Sequence, residues 1–231
     1  YVLLALGQPM HAFDLDQLQG DLCVRLSTAG EQLKLLNEQQ VTLDDDTLLI
    51  CDERGAVALA GVMGGFDSRV TDQTQNIFLE SAFFAPLAIA GRARRYGLHT
   101  DASQRYERGV DYQLPVLALE YATQLIMQYA GGQVGAVVLA ERAVDLPVRA
   151  AIHLTLAQTS RLLGFDVSAE FVVDSLQRLG MQVSGDAAGW TVIPPSHRFD
   201  LSIAEDLIEE VARIFGYDNI PVRLPVLSLQ L

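Results

Sequence analysis

Apolar and polar positions alternate in short runs through the first third of the chain. The runs 22–27, 32–36, 40–43, 47–51, 56–60 and 76–81 are divided by Gly, Asn and Asp clusters, which is the pattern of consecutive β-strands. Lys34-Leu35-Leu36 and Val41-Thr42-Leu43 flank residues 37–40, which predicts a hairpin. After Pro86 the period becomes helical. Residues 87–96 run to Gly97 and residues 102–108 to Gly109. Residues 112–130 keep an apolar stripe through Leu117, Tyr121, Leu125 and Ile126 until Gly131-Gly132 ends it. Residues 133–140 return to a strand pattern. Strands followed by helices predict an α+β domain, a mixed β-sheet with helices packed on it.

Pro147 breaks the pattern and a new one begins, so a boundary is expected near 145–149. Thr155 with Gln158 reads as a capping box for a helix over 156–163, and Ser168 caps a second over 169–179. Strand runs at 181–183 and 190–193 make a hairpin. Ser202 with Glu205 reads as another capping box, opening a helix over 203–215 that stops at Gly216. Two helices, a hairpin and a helix predict a small α+β domain of winged-helix-like form. The expected organisation is therefore 1–147, 148–221 and the start of a linker at 222–231. Winged-helix shapes often bind nucleic acid, but residues 149–231 carry 6 basic and 10 acidic groups, so shape alone does not license that function.

Composition narrows the class. Half of the 231 residues are apolar, 19% are charged and mean hydropathy is +0.21, which excludes a disordered or disulfide-scaffolded chain. The net charge of −13 excludes nucleic-acid binding through bulk charge, so any such contact is local. Fifteen of the 16 basic residues are Arg, and Lys34 is the one Lys. Cys23 and Cys51 sit in strand runs and read as buried reduced thiols. With no membrane-length apolar stretch, a cytoplasmic protein is expected. The apolar runs at 1–6 and 222–231 suggest a piece of a longer chain.

Several constellations carry candidate chemistry. Leu59-Ala60-Gly61-Val62-Met63-Gly64-Gly65 follows a strand without the helix a phosphate loop needs, so its glycines serve close approach, to other backbone or to a ligand. Glu80 stands among Phe78, Leu79, Ala82 and Phe83. It is either an edge residue facing water or an acceptor held in an apolar pocket, and residue types alone favour the first. His11, after Gly7 and Pro9, is placed in a turn or loop. His99, His153 and His197 lack metal-ligand spacing. Arg92, Arg94, Arg95, Arg105 and Arg108 form the one place for a phosphate backbone, against the plainer account that they pair with Asp101, Glu107 and Asp111. Asp206, Glu209 and Glu210 share a helix face with Asp200 upstream. These are oxygen ligands suited to a hard cation, although a solvated face with Arg213 paired to Glu209 is simpler.

Read together, these segments resemble the β subunit of bacterial phenylalanyl-tRNA synthetases. Gly7-Gln8-Pro9-Met10-His11-Ala12-Phe13-Asp14, Ala60-Gly61-Val62-Met63-Gly64-Gly65, Leu79-Glu80-Ser81-Ala82, Gly97-Leu98-His99-Thr100-Asp101-Ala102-Ser103 and Arg105-Tyr106-Glu107-Arg108-Gly109-Val110-Asp111 match its editing domain in order. The run from Pro194-Pro195-Ser196-His197-Arg198-Phe199-Asp200 to Gly216-Tyr217 matches the small domain that follows. The resemblance implies hydrolysis of tyrosine wrongly esterified to tRNA(Phe), because a pocket for Phe cannot strongly exclude a molecule that only adds a hydroxyl. It implies that Glu80 reads the phenol, that Ala60, Gly61 and Gly64 let the wall approach, that Thr100 and Ala102 line the pocket, and that His11 with Pro9 sits beside the ester. It further implies an α subunit that carries out ATP-dependent phenylalanylation in an α2β2 assembly. Mg²⁺ would be shared with that subunit through Asp200, Asp206, Glu209 and Glu210, weakly or not at all in this chain alone. Arg92, Arg94 and Arg95 are the candidate tRNA contacts. The alternative is a non-catalytic scaffold or a tRNA-binding piece of the synthetase.

Overall fold

A computed structural model describes residues 1–222, and the chain divides into two compact units, Tyr1–Asp145 and Leu146–Leu231. The expected linker at 222–231 therefore lies outside the described residues, apart from Val222. The first unit opens with a short helix, α1 (Val2–Leu6), that ends at Gly7 in the left-handed conformation. Nine strand and helix segments then build its core: β1 (Met10–Asp14), β2 (Cys23–Leu26), β3 (Gln32–Lys34), β4 (Gln40–Thr42), β5 (Leu48–Asp52), β6 (Gly55–Leu59), β7 (Met63–Gly64), β8 (Ile77–Ser81) and α2 (Pro86–Ile89). Three more helices follow, α3 (Arg92–Arg95), α4 (Asp101–Arg108) and α5 (Pro115–Tyr129). The strands pair antiparallel as β2-β5-β6-β7, β3-β4 and β1-β8. Phe13, Leu35, Leu49, Leu59 and Ile89 are completely or almost completely buried at the centre.

Four differences from the sequence pattern have local causes. His11 is in strand β1, not in a loop. Gly7 and Pro9 punctuate the chain just before the strand, which then pairs with β8 over its full length. The helix expected over 87–96 is two short ones, because Gly91 takes φ 76°, which an L side chain rarely adopts, and breaks the run. Residues 133–140 form no strand, and Val134, Val137, Val138 and Leu139 are exposed. Finally, Cys23 is exposed on the sheet edge while Cys51, its direct cross-strand neighbour, is buried; both thiols are free.

The second unit has the order β9 (Ile152–Leu154), α6 (Leu156–Leu163), α7 (Ala169–Arg178), β10 (Gln182–Asp186), β11 (Gly189–Ile193) and α8 (Ala204–Phe215). Its sheet runs β10-β11-β9, and β9 is an addition to the expected hairpin. The helix starts follow their caps: Thr155 accepts from Gln158 N–H at 3.1 Å and Ser168 from Phe171 N–H at 3.2 Å. At α8 the cap differs from expectation. The Asp206 carboxylate, not that of Glu205, accepts the Ser202 and Ile203 N–H groups at 2.7 and 3.0 Å. Trp190, Leu154, Val172, Leu176, Leu207 and Val211 fill the core.

Candidate active site

Strands β1 and β8 pair Met10 to Ser81, His11 to Glu80 and Ala12 to Leu79. Residues directly opposite in an antiparallel ladder point to the same face, so the imidazole and the carboxylate stand side by side. A cleft opens on that face. Its walls include Pro9, His11, Gly61, Gly64, Glu80 and Ala102, six of the eight positions expected in the pocket. Ala60 is instead buried in the core. Thr100 caps α4, accepting from Ser103 N–H at 3.0 Å and donating to the Val62 carbonyl at 2.9 Å, so it holds the helix that presents Ala102. Residue types had not pointed to Met10, Ala58, Leu59, Val62, Met63 or Tyr106, which complete the lining. Their apolar periodicity is that of any core position.

Burial sets the ionisation of both polar groups. It pushes the Glu80 carboxyl up to about 7, and the carboxyl has no hydrogen-bond partner among the described residues. It also lowers the His11 imidazole below its ordinary value, and His11 Nε2 is buried without a partner. A neutral imidazole with a free nitrogen at neutral pH is the form a proton acceptor needs.

The glycines set the shape. A Cβ on Gly64 would fall 2.3 Å from His11 Cε1 and 2.4 Å from Nε2, so the ring lies directly against bare backbone. Gly61 combines φ 67° with walls on three sides, Tyr106, Phe84 and Ile89 lying 3.0 to 3.2 Å from where its Cβ would be. Replacing Gly61 with Ala is expected to destabilise the first unit by about 1–3 kcal/mol through backbone strain and overpacking, measurable by urea unfolding followed by circular dichroism.

Pro9 creates a gap in the ladder that side chains close. The next pair beyond Met10 and Ser81 would be Pro9 and Ala82, but proline has no N–H to offer. The fully buried Gln8 amide donates to the Ala82 carbonyl at 2.8 Å and to the Pro9 carbonyl at 3.0 Å. The Tyr106 hydroxyl lies 3.1 Å from both carbonyls and donates to one at a time. Burial raises the Tyr106 phenol well above its ordinary value and the nearby Glu80 charge adds to this, so it remains a donor. Gln8 Oε1 is buried without a partner.

Two expected sites are not assembled as anticipated. Arg92 lies 3.0 Å from Asp46, and Arg95 pairs with Asp44 at 3.1 Å and with Asp46, so acidic residues of the β4–β5 loop neutralise both. Arg94 makes no ion pair among the described residues. In the second unit Asp200 takes a bidentate contact from Arg198, and Glu210 is held by Arg198 at 3.0 Å and by Arg213. Asp206 caps α8 and Glu209 is exposed. The four carboxylates as they stand do not fit a cation: Asp200 and Glu210 have both oxygens committed to arginine, and Asp206 has one committed to the cap. Among the described residues no group of three or more His, Cys, Asp or Glu is placed to hold a metal ion.

Arg198 ties the turn before α8 to the helix itself. Glu210 is 8% exposed, and the Arg213 and Arg198 contacts outweigh its burial and keep its carboxyl below the usual range. Arg198→Ala would leave Glu210 poorly compensated, costing about 1–3 kcal/mol at pH 7 in urea unfolding followed by Trp190 fluorescence. Because the folded-state value is depressed, the paired carboxylates stabilise above the ordinary carboxylate range, and their contribution is lost as pH falls through their folded values. The difference between variant and parent should therefore shrink in acid.

The first unit is thus a small α+β domain with an acid-and-imidazole cleft walled by glycine, and the chain belongs to the B3/4 domain family, whose model matches residues 1–131. Residues 152–217 match the tRNA synthetase B5 domain. Over its whole length the chain is 59% identical to the phenylalanine–tRNA ligase beta subunit of Acinetobacter baylyi, covering 29% of that protein. It is 57% identical to that of Xanthomonas euvesicatoria over 97% of the chain and 28% of the relative. For Psychrobacter arcticus the figures are 54%, 100% and 29%. The chain therefore spans under a third of the length of these relatives. No helix among the described residues is long and apolar enough to cross a membrane.

Proposed function

We propose that the first unit is an editing esterase that hydrolyses tyrosine from mischarged tRNA(Phe). The observation that supports this most is the register that sets Glu80 beside His11 in one cleft, over the bare backbone of Gly64. A carboxylate in apolar surroundings selects a ligand that brings a hydroxyl. A phenol donates to it, whereas phenylalanine would bury the same charge without a partner. His11 Nε2, neutral and unpartnered, accepts the proton of a water as its oxygen attacks the ester carbonyl. The ribose oxygen leaves and takes up a proton as the tyrosine carboxylate forms. No side-chain nucleophile is needed.

The second unit serves as a support, since its carboxylates are engaged in its own ion pairs. By likeness to the phenylalanine–tRNA ligase beta subunits, the proposed partners are an α subunit that performs ATP-dependent aminoacylation and tRNA(Phe), in the cytoplasm. Incubating the chain with Tyr-tRNA(Phe) and following release of tyrosine tests the reading. Deacylation above the uncatalysed rate is the expected result, and its absence would favour a scaffold role.

A further inference from the structure

With Arg92 and Arg95 neutralised, the question is which cations of the first unit can meet an RNA strand. Lys34 Nζ lies 3.7 Å and Arg69 Cζ 3.5 Å from the centre of the Phe66 ring. The two charges cannot be farther apart than the sum of those distances, which is within the screening length of about 8 Å at physiological salt. Neither makes an ion pair among the described residues, although Asp67 adjoins Phe66 in the chain. The ring attracts both cations and Arg69 also donates to the Phe66 carbonyl at 2.6 Å, so the pair is held in place with no carboxylate among the described residues to neutralise it, and an arriving anion would be attracted by both charges.

Their place in the fold ties them to the cleft. Leu35 and Gly65 pair antiparallel and face the core. The flanking positions, Lys34 with Phe66 and Leu36 with Gly64, therefore share the opposite face, and it is on this face that Gly64 carries the His11 ring. Arg69 is bridged to Phe13, which lies on the His11 face of β1. Phe66 follows Gly64 by two residues, across the bend that ends β7, so the two positions are at most about 7 Å apart. The phosphate that precedes a 3′-terminal nucleoside is separated from its ester by one sugar, and this spacing suits that arrangement.

We propose that Lys34 and Arg69, held on Phe66, form a phosphodiester-binding site for the 3′ end of the RNA that delivers the ester to the cleft. The site rests on the editing reading but is tested by binding alone. The probe is a fluorescent RNA hairpin with a single-stranded 3′ ACCA end, titrated with the full chain and followed by anisotropy at 50 and 200 mM salt. Lys34→Gln with Arg69→Gln should weaken binding about fivefold to tenfold at 50 mM and lower the slope of log affinity against log salt by about 1.4, the value for two phosphate contacts on a single strand. Lys34→Arg with Arg69→Lys keeps both charges and should bind within about twofold of the parent. The proposal is overturned if the unaltered chain does not bind the hairpin, if the double Gln variant binds as well as the parent, or if the charge-preserving pair also loses binding. It is overturned equally if Arg92→Gln with Arg95→Gln causes the larger loss. Charge-dependent binding without deacylation would leave this site standing and remove the esterase reading.

Discussion

Glu80→Gln is expected to slow deacylation of Tyr-tRNA(Phe) about 10- to 100-fold while leaving any residual release of phenylalanine unchanged. The estimate is the worth of a hydrogen bond to a charged group, about 1.5–3 kcal/mol, which only the phenol can make. Loss on both esters alike would remove Glu80 as the selecting group. The same variant carries a stability signature of opposite sign to the loss of activity. Burial raises the folded-state value to about 7, so the parent is most stable where the group is protonated, below the ordinary carboxylate range, and loses stability as pH rises toward and through 7. An amide never ionises. Melting temperatures of parent and variant should nearly coincide at pH 4, and the variant should be the more stable at pH 8. A variant less stable at pH 8 would mean that the Glu80 carboxylate has a partner in the folded protein.

Gly64→Ala is expected to abolish more activity than stability. The added methyl would overlap the His11 ring, which packs edge-on against the fully buried Phe13 at 4.5 Å and cannot retreat in that direction. The ring must swing out of the cleft, and misplacing a group at the reacting bond by about 1 Å costs on the order of 100-fold. Because Gly64 needs no left-handed conformation, the stability cost is that of overpacking alone, about 1–3 kcal/mol. Adding His11→Ala should restore most of that stability and none of the hydrolysis. If the double variant is no more stable than Gly64→Ala alone, the overlap with His11 is not the source of the cost.

Much of the fold was legible because its signals are local. Thr155, Ser168 and the glycines at 109, 164 and 216 mark helix ends wherever the rest of the chain goes. The β1 strand was not legible, since Gly7 and Pro9 read as loop and the pairing that makes it a strand comes from residues about 70 positions away. The site divides in the same way. Residue types favour an edge position for Glu80, and the register with His11 is what puts it in a cleft; the resemblance to a known family implies that place, and periodicity does not. For the carboxylates of α8, helical spacing predicts three on one side of the element, whereas Asp206 caps the helix, Glu209 is exposed and Glu210 is buried. It could not show that Arg198, from the preceding turn, reaches across to Glu210. Arg92 and Arg95 likewise find their acids in a distant loop, where neighbours in sequence had been expected.

The proline gap beside the cleft has a mechanical consequence. Elsewhere the ladder is tied by backbone hydrogen bonds, but the pair at Pro9 and Ala82 is tied by the Gln8 amide and the Tyr106 hydroxyl, both buried, so this end of β1 and β8 is pinned by side chains packed in the core. Fraying at this end would have to pull both side chains out of the core, so the register that aligns His11 with Glu80 is held firmly although a proline interrupts the backbone bonding beside it.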